Sequence, residues 1–501
     1  MPDRLSNRLP DLVPIVTAVF AGIAGVAGSF AIAGFTPDFV AGPIAGLLAR
    51  RLPAAVITFS IVVLGDLGEH LAVVNAVGIA ATLFAATSWL GWRIGRRLDT
   101  PAVGSLAGGI LTAVAAYLVT LAVLPSLVAG LGAGLVLALA SVAGAPVRDS
   151  GIDPDRRRVL AGAAGTIAFV FGGYVLGSRA SGASPTAGES VEVDLPTEVS
   201  ADIEEKLTQA ADQSLDIDGI EPLVSQDFYQ VDINATDPTI DAEEWSLQVT
   251  GAVDEELTYS YADIRARQPE NRFVSLRCVG DALNGHKMDN ALWTGIPIMD
   301  LVDPAGVQPG CCVMLRADDG FYEEFPLEAL QDGFLAFAMN GKELPRGHGH
   351  PARALIPGHW GEINVKWLTE IEVLEEEVDG YWEERGWHGT GPVNTVAKIH
   401  AVNDLEDGRT EVGGHAYAGT RGIQQVEVST DGGQSWTQAT LSDPLPGDDV
   451  WRQWVHRFEP PDGSYKVVAR ATDGTGTLQP REESDAFPSG PSGWVTRSIS
   501  P

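Results

Sequence analysis

Val274-Ser275-Leu276-Arg277-Cys278-Val279-Gly280-Asp281 holds the residue on which the reading of this chain turns. A lone cysteine is most often a small buried hydrophobe, yet as a thiolate it is a strong ligand for a soft, redox-active metal. Further along come His348-Gly349-His350-Pro351-Ala352-Arg353 and Gly358-His359-Trp360-Gly361-Glu362-Ile363-Asn364-Val365-Lys366-Trp367-Leu368. Glycines there let backbone N–H groups approach a ligand, and Arg353 and Lys366 supply charge, which suits a phosphorylated organic cofactor. His348, His350 and His359 are also numerous enough for zinc, but no suitably placed carboxylate accompanies them, and Gly-His-Gly-His-Pro fits a cofactor loop better.

Working outward, 501 residues exceed one ordinary core and suggest about three domains. Residues up to about Gly177 are mostly Ala, Val, Leu, Ile and Gly, so the net charge of −33 falls almost wholly on the remainder. That excess of acid argues against nucleic acid or an anionic membrane surface as a partner. It reads as a solvated surface adapted to high salt, where screening removes self-repulsion. Three cysteines make no even-numbered disulfide framework and no zinc spacing. Cys311 and Cys312, in the apolar run Gly310 to Leu315, read as packing residues of a strand.

The apolar part predicts membrane-spanning helices at Leu12 to Ala33, Leu71 to Trp92, Val103 to Leu124, Ser126 to Val147 and Val159 to Gly177. Two shorter stretches between Phe39 and Asp66 read as two short spans or one span with a re-entrant piece. Placing Arg4, Arg8, Arg50, Arg51, Arg93 to Arg97 and Arg148 to Arg158 inside, with Asp38, Asp66 and Glu69 outside, takes seven crossings and puts the C-terminal region outside the cell. Asp155-Arg156-Arg157-Arg158-Val159-Leu160 resembles an internal twin-arginine export signal, or is a plain cytoplasmic arginine cluster. His70 is the only histidine before His286, so no pair of intramembrane imidazoles is present for a haem, and electrons must leave by an external carrier.

The segment from about Phe228 to Ile371 resembles the molybdenum-cofactor domain of the sulfite oxidase family. Three blocks match in order: the Cys278 block, Ala291-Leu292-Trp293-Thr294-Gly295-Ile296-Pro297, and the run from His348 to Leu368. Residues from about Thr395 to Val495 resemble that family's immunoglobulin-like dimerisation domain. The resemblance implies a molybdenum-pyranopterin cofactor with Cys278 as metal ligand. It also implies Asn234, His348, Arg353 and Lys366 around the pterin and its phosphate. Tyr322 falls where the family places a tyrosine beside the substrate oxygen, or is an exposed hairpin tyrosine. Where the family has Gly-Asn-Arg-Arg and a later arginine that bind sulfite, this chain has Gly280-Asp281-Ala282-Leu283 and Ile363, an acid and apolar groups that argue against a dianionic substrate.

The expected architecture is multi-domain: a transmembrane helical bundle over 1–177 (six or seven spans), an acidic linker over 178–216, an α+β molybdopterin domain over 217–390, and an immunoglobulin-like β-sandwich over 391–501. The expected activity is oxygen-atom transfer to or from a small molecule at the outer face of a cell membrane. The chain would be multi-pass and membrane-embedded, and would form a homodimer through the last domain. A sulfoxide-reductase-like activity, or a non-catalytic surface binding module on a decayed fold, are the alternatives.

Overall fold

The computed structural model describes residues 9–64, 66–145, 153–183 and 193–500. Arg4, Arg8 and Arg148, which the charge argument used, lie outside them. The described residues form two units. One is helical and comprises residues up to 183, except 61–63, together with Asp232–Thr239. The other is built of sheets and takes residues 193–231 and those from Ile240 on, with 61–63 counted in it.

In the helical unit, α1 (Leu9–Ala33), α2 (Ala41–Arg51), α3 (Ala54–Phe59), α4 (Asp66–Arg97), α5 (Pro101–Thr120), α6 (Val123–Ala143) and α7 (Pro154–Ala183) follow one another. Pro101 at the first turn starts α5, and Leu121, at φ 57°, ends it in the left-handed region. The packing surfaces are small: a Cβ on Gly91 of α4 would lie 2.3 Å from the Gly108 backbone of α5. Gly28 of α1 stands equally close to Val128 of α6, and Gly173 of α7 to Ala27 of α1. Large side chains point outward instead, with Leu106, Leu118 and Phe171 exposed. Small residues inside and large apolar ones outside is the arrangement expected of helices surrounded by hydrocarbon.

Among the described residues, five helices are long and apolar enough to cross a membrane: Leu12–Ala33, His70–Arg97, Pro101–Thr120, Val123–Ala143 and Pro154–Arg179. The pair Ala41–Arg51 and Ala54–Leu64 is bent by 113°. Where the charge argument took seven crossings, the described residues offer five candidates, or six if the bent pair is one span. Eleven residues of helix reach about 16 Å, roughly half of a bilayer's hydrocarbon core.

The sheet unit begins with α8 (Thr197–Gln213), which buries Val199, Ile203 and Ala210. The segment expected to be a solvated tether thus contributes to a core. The first half of this unit holds β1 (Ser246–Gly251), β2 (Leu257–Ser260), β3 (Glu270–Arg277), β4 (Met288–Pro297), β5 (Cys312–Ala317), β6 (Tyr322–Pro326), β7 (Phe334–Met339), β8 (Lys342–Glu343), β9 (Arg353–Leu355) and β10 (Leu368–Leu374). They form a mixed sheet, ordered β2-β1-β10-β5-β6, and an antiparallel one, ordered β3-β4-β7-β8 with β9 also paired to β7. Every residue of β7 is buried, as its unbroken apolar run requires. Cys311 and Cys312 are joined to each other as a disulfide between adjacent residues. Their reading as two packing thiols is corrected: Cys312 is buried and Cys311 exposed.

The second half holds β11 (Val396–Ala397), β12 (Ala401–Asp404), β13 (Thr410–Tyr417), β14 (Ile423–Ser429), β15 (Thr437–Gln438), β16 (Thr440–Leu441), β17 (Arg452–Phe458), β18 (Tyr465–Asp473) and β19 (Val495–Ile499). One sheet runs β11-β13-β17-β16, with β12 also on β13, and the other runs β15-β14-β18-β19. Their shared core is centred on Val412, Tyr417, Val426, Trp454 and Val467. Strand β13 is buried at all eight positions. Its second face is covered, because His415 lies on the Trp451 ring at 3.8 Å and bonds through Nε2 to the Glu221 carbonyl at 3.0 Å.

Candidate molybdopterin site

Strand β3 delivers Cys278 at its C-terminal end. The Cys278 amide donates to the Lys287 carbonyl at 3.0 Å and the Asp281 amide to the Cys278 carbonyl at 3.3 Å, so 278–287 closes into a compact loop. Cys278 is a free, half-buried thiol. Burial, then the Asp281 charge, pushes it up to about 11, a cost that a bound metal cation removes by stabilising the thiolate.

The loop is braced from beneath. Lys398, wholly buried, reaches Asp281 Oδ2 at 2.8 Å and the Gly285 carbonyl at 2.7 Å. Asp281, expected from its position to repel an anion at the site, is instead committed to this ion pair. Arg277, also buried, donates to the Asn394 carbonyl at 2.9 Å and lies over the Trp360 ring at 4.8 Å. It ties the cysteine strand to the next domain's first residues.

A second cluster assembles around the glycine-rich run. Gly349, at φ 107°, passes so close to Arg353 and Lys366 that a Cβ would sit 3.0 Å from Arg353 Cβ and 3.1 Å from Lys366 Cα. Only glycine both tolerates that backbone conformation and leaves the needed space. Lys366 Nζ donates to the Gly347 carbonyl at 3.0 Å, and Arg353 donates to the Asn364 carbonyl at 2.8 Å. His348 stands beside both cations, and burial, then Lys366 and Arg353, lowers it to about 3. The structure thus brings His348, Arg353 and Lys366 together, with Arg353 buried and the other two half-buried.

Tyr229 links the two clusters, and the sequence reading missed it. It stacks on Phe228 at 5.5 Å, which in turn meets Trp293 and His348 edge-on. Its hydroxyl lies 2.8 Å from where a Cβ on Gly361 would be. Burial, then the charges of Cys278 and Asp289, raises its phenol well above the usual range, with Arg353 opposing. The signal was present in Asp227-Phe228-Tyr229, but an aromatic pair at the start of a domain reads as core. Asn234 is not brought to this cluster. It belongs to the helical unit, where its Oδ1 lies 2.7 Å from the position of a Cβ on Gly46 of α2. The small-residue face Ala41, Gly42, Ala45 and Gly46 that receives its segment could not be inferred from register alone.

Tyr322 heads β6 with its ring against Tyr381 at 5.9 Å. The following residue, Glu323, opens a group of buried acids. Burial raises Glu323 well above its ordinary range, and burial raises Glu362 to about 8. Glu362 had been quoted within its motif but given no role.

A free thiol on a braced loop and a glycine-turned cluster of His348, Arg353 and Lys366 have the chemistry of a molybdopterin-type oxidoreductase. Residues 234–382 match the family described as oxidoreductase molybdopterin binding domain, and 392–487 that described as Mo-co oxidoreductase dimerisation domain. The chain is 27% identical over 304 residues to the mitochondrial sulfite oxidase of Drosophila melanogaster, covering 49% of this chain and 53% of that one. It is 28% identical over 297 residues to the sulfite oxidase of Gallus gallus, covering 48% and 65%. It is 32% identical over 154 residues to an uncharacterized oxidoreductase of Bacillus subtilis (strain 168), covering 30% and 76%. Among solved structures, the sulfane dehydrogenase SoxCD of Paracoccus pantotrophus is similar with a TM-score of 0.47 and 21% identity, over 53% of this chain and 78% of that one. The chain belongs to the sulfite oxidase family of molybdopterin oxidoreductases, and its matched domain is one that binds the molybdenum-molybdopterin cofactor. It spans 53% of the fruit-fly enzyme and 65% of the chicken enzyme.

Proposed function

We propose that this protein is a molybdenum-dependent oxidoreductase that transfers an oxygen atom to or from a small substrate. The observation that carries the reading is the free, half-buried Cys278 thiol, tied through Tyr229 to the His348, Arg353 and Lys366 cluster. These residues fit the cofactor: a thiol is the donor a soft metal selects, and the positive cluster suits a phosphate and an electron-rich ring system. When bound, the cofactor supplies two-electron oxygen-atom exchange, chemistry that side chains lack.

The chain's own residues hold and orient. Cys278 fixes the metal, while Lys398 and Asp281 keep its loop rigid. His348, Arg353 and Lys366 hold the pterin and its phosphate. Tyr229, kept neutral by burial, presents a phenolic O–H toward the cysteine side. Tyr322, beside the buried acids, stands at the approach to the site. No role at the cofactor is assigned to Asn234. With Arg277 buried and committed to the Asn394 carbonyl, and with Ala282, Leu283 and Ile363 offering no cation, the site favours an uncharged substrate over a dianion.

The helical unit anchors the protein, with the catalytic domain on the outer side of a cell membrane. An external carrier takes or gives the electrons, and the C-terminal domain, as an immunoglobulin-like sandwich, pairs two copies. The test is elemental and kinetic. Purified protein should contain close to one molybdenum per chain and turn over with artificial electron carriers. Cys278→Ser should abolish turnover while the unfolding transition stays in place; full activity in that variant would remove Cys278 as the ligand.

A further inference from the structure

Glu362, Glu383 and Glu323 come from three separate places in the chain: the turns Gly361–Ile363 and Glu383–Arg385, and strand β6. Glu323 is completely buried. Both carboxylate oxygens of Glu362 and both of Glu383 are enclosed without a hydrogen-bond partner of ordinary geometry, the Gly389 amide being the donor nearest Glu362. Glycine makes the room: a Cβ on Gly389 would lie 2.1 Å from Glu362 Oε1, and one on Gly380 would overlap Glu323 Oε1 and stand 2.8 Å from Glu383 Oε2.

A second feature points the same way. The indole N–H of Trp387, a residue 1% exposed, is also unpartnered. Its ring packs on Trp382, next to Glu383, at 6.3 Å, and the chain reaches Gly389 two residues later. A donor and four acceptors left open in one buried neighbourhood are what a water-filled passage requires. Glu323 and Glu383 are close neighbours around Gly380, and two carboxyl groups brought together in a buried place favour keeping a proton on one of them. At one end Trp387 reaches the cysteine loop, where a Cβ on Gly280 would lie 3.5 Å from its ring and 3.9 Å from Cys278 Sγ. At the other, partly exposed Glu324 and Tyr322 open toward solvent.

We propose that Glu362, Glu383 and Glu323 form a proton relay between the Cys278 pocket and solvent. The proposal rests on the molybdenum reading above. Substrate plus water gives oxygenated substrate, two protons and two electrons. The electrons pass to the external carrier and the protons leave through the acids; reduction runs the same balance backwards, taking two protons in. The charged and titratable groups facing the relay are Cys278 and Asp281 from the cysteine loop, Tyr322 and Glu324 from β6, Glu377 and Asp379 from the loop before Tyr381, and Glu384 and Arg385 from the last turn.

Glu362→Gln and Glu323→Gln keep side-chain size and remove the proton. In the molybdenum-loaded enzyme each should lower kcat by about a hundredfold with KM little changed, and should alter the pH profile of kcat. Two readouts do not depend on turnover. The carbonyl band of a buried, protonated carboxylic acid in the infrared spectrum should disappear in the variants. Because burial raises Glu362 from 4.5 to about 8, its protonated form favours the fold, so wild-type stability should fall as pH rises from 4.5 through 8 and Glu362→Gln should flatten that slope. Fully loaded variants with wild-type kcat and pH profile, or variants that retain the infrared band and the slope, would overturn the relay. A protein without molybdenum that still shows the band and the slope would overturn the oxidoreductase reading and the relay's purpose while locating the protonated acids correctly.

Discussion

Lys398 and Asp281 lie 117 residues apart, yet together they decide the shape of the cysteine loop. A buried ion pair adds little over a well-packed apolar pair, but removing one partner leaves an uncompensated charge. Burial already pulls Lys398 down to about 8, so the fold has little tolerance for a further loss. Lys398→Met should lower the stability of the sheet unit by about 3–5 kcal/mol, read from urea unfolding, and Asp281→Leu added to it should restore most of that loss. If the double variant is no better than the single one, the pair does not act as a unit. At this scale, sequence legibility followed chemistry. Cys278, His348, Arg353 and Lys366 announce themselves because thiol, imidazole and cations in a glycine-rich frame suit few other purposes. Tyr229, Glu362 and Lys398 did not, because their roles come from burial beside residues remote in sequence. Asp281 was read with the right charge and the wrong partner for the same reason.

Elements were legible where periodicity was unambiguous. The unbroken apolar run Phe334–Met339 forms β7, buried throughout, whereas α8 arises inside the segment expected to be an acidic linker. The short apolar stretches after Phe39 were ambiguous because hydropathy reports composition, whereas crossing depends on unbroken length. Packing of the long helices adds a prediction that composition cannot supply. Gly91 has no room for a side chain, since a Cβ there would meet Gly108 Cα and N at 2.3 Å, whereas a Cβ on Gly78 of the same helix meets nothing within 4 Å. Gly91→Val should therefore separate α4 from α5 and cost about 1–3 kcal/mol, measured by detergent-denaturation of the purified protein. Gly78→Ala should be neutral or slightly stabilising, because helix propensity improves and nothing is displaced. Equal effects at the two positions would mean that the glycine seam does not hold these helices together.

For the whole molecule, the number of crossings decides which side of the membrane carries the chemistry. Gly22 and Gly25 of α1 meet Ala81 and Phe84 of α4, Gly95 of α4 meets Gly104 of α5, and Gly109 of α5 meets Gly130 of α6. Along α7, Gly162 faces Phe20 and Gly177 faces Phe30, so α1 and α7 run in the same direction. Five spans arranged this way collect Arg93, Arg96, Arg97, Arg156, Arg157 and Arg158 at one end. There Arg93 and Arg96 lie over Trp89 and Trp92 at 4.7 and 5.0 Å, as aromatic residues do near a membrane surface. An odd count such as five is what the proposed outward placement of the C-terminal region requires, and a sixth span would reverse it. With five spans only Arg50 and Arg51 change side relative to the seven-span expectation. Single cysteines at Asp38, Arg51, Asp99 and Glu243, in a background with the three native cysteines replaced by serine, should discriminate. In intact cells an impermeant maleimide should label positions 38, 51 and 243 and spare 99. Protection at 51 with labelling at 38 would restore the two short crossings. Labelling at 99 with protection at 243 would place the molybdenum domain in the cytoplasm, and the outward orientation would be abandoned.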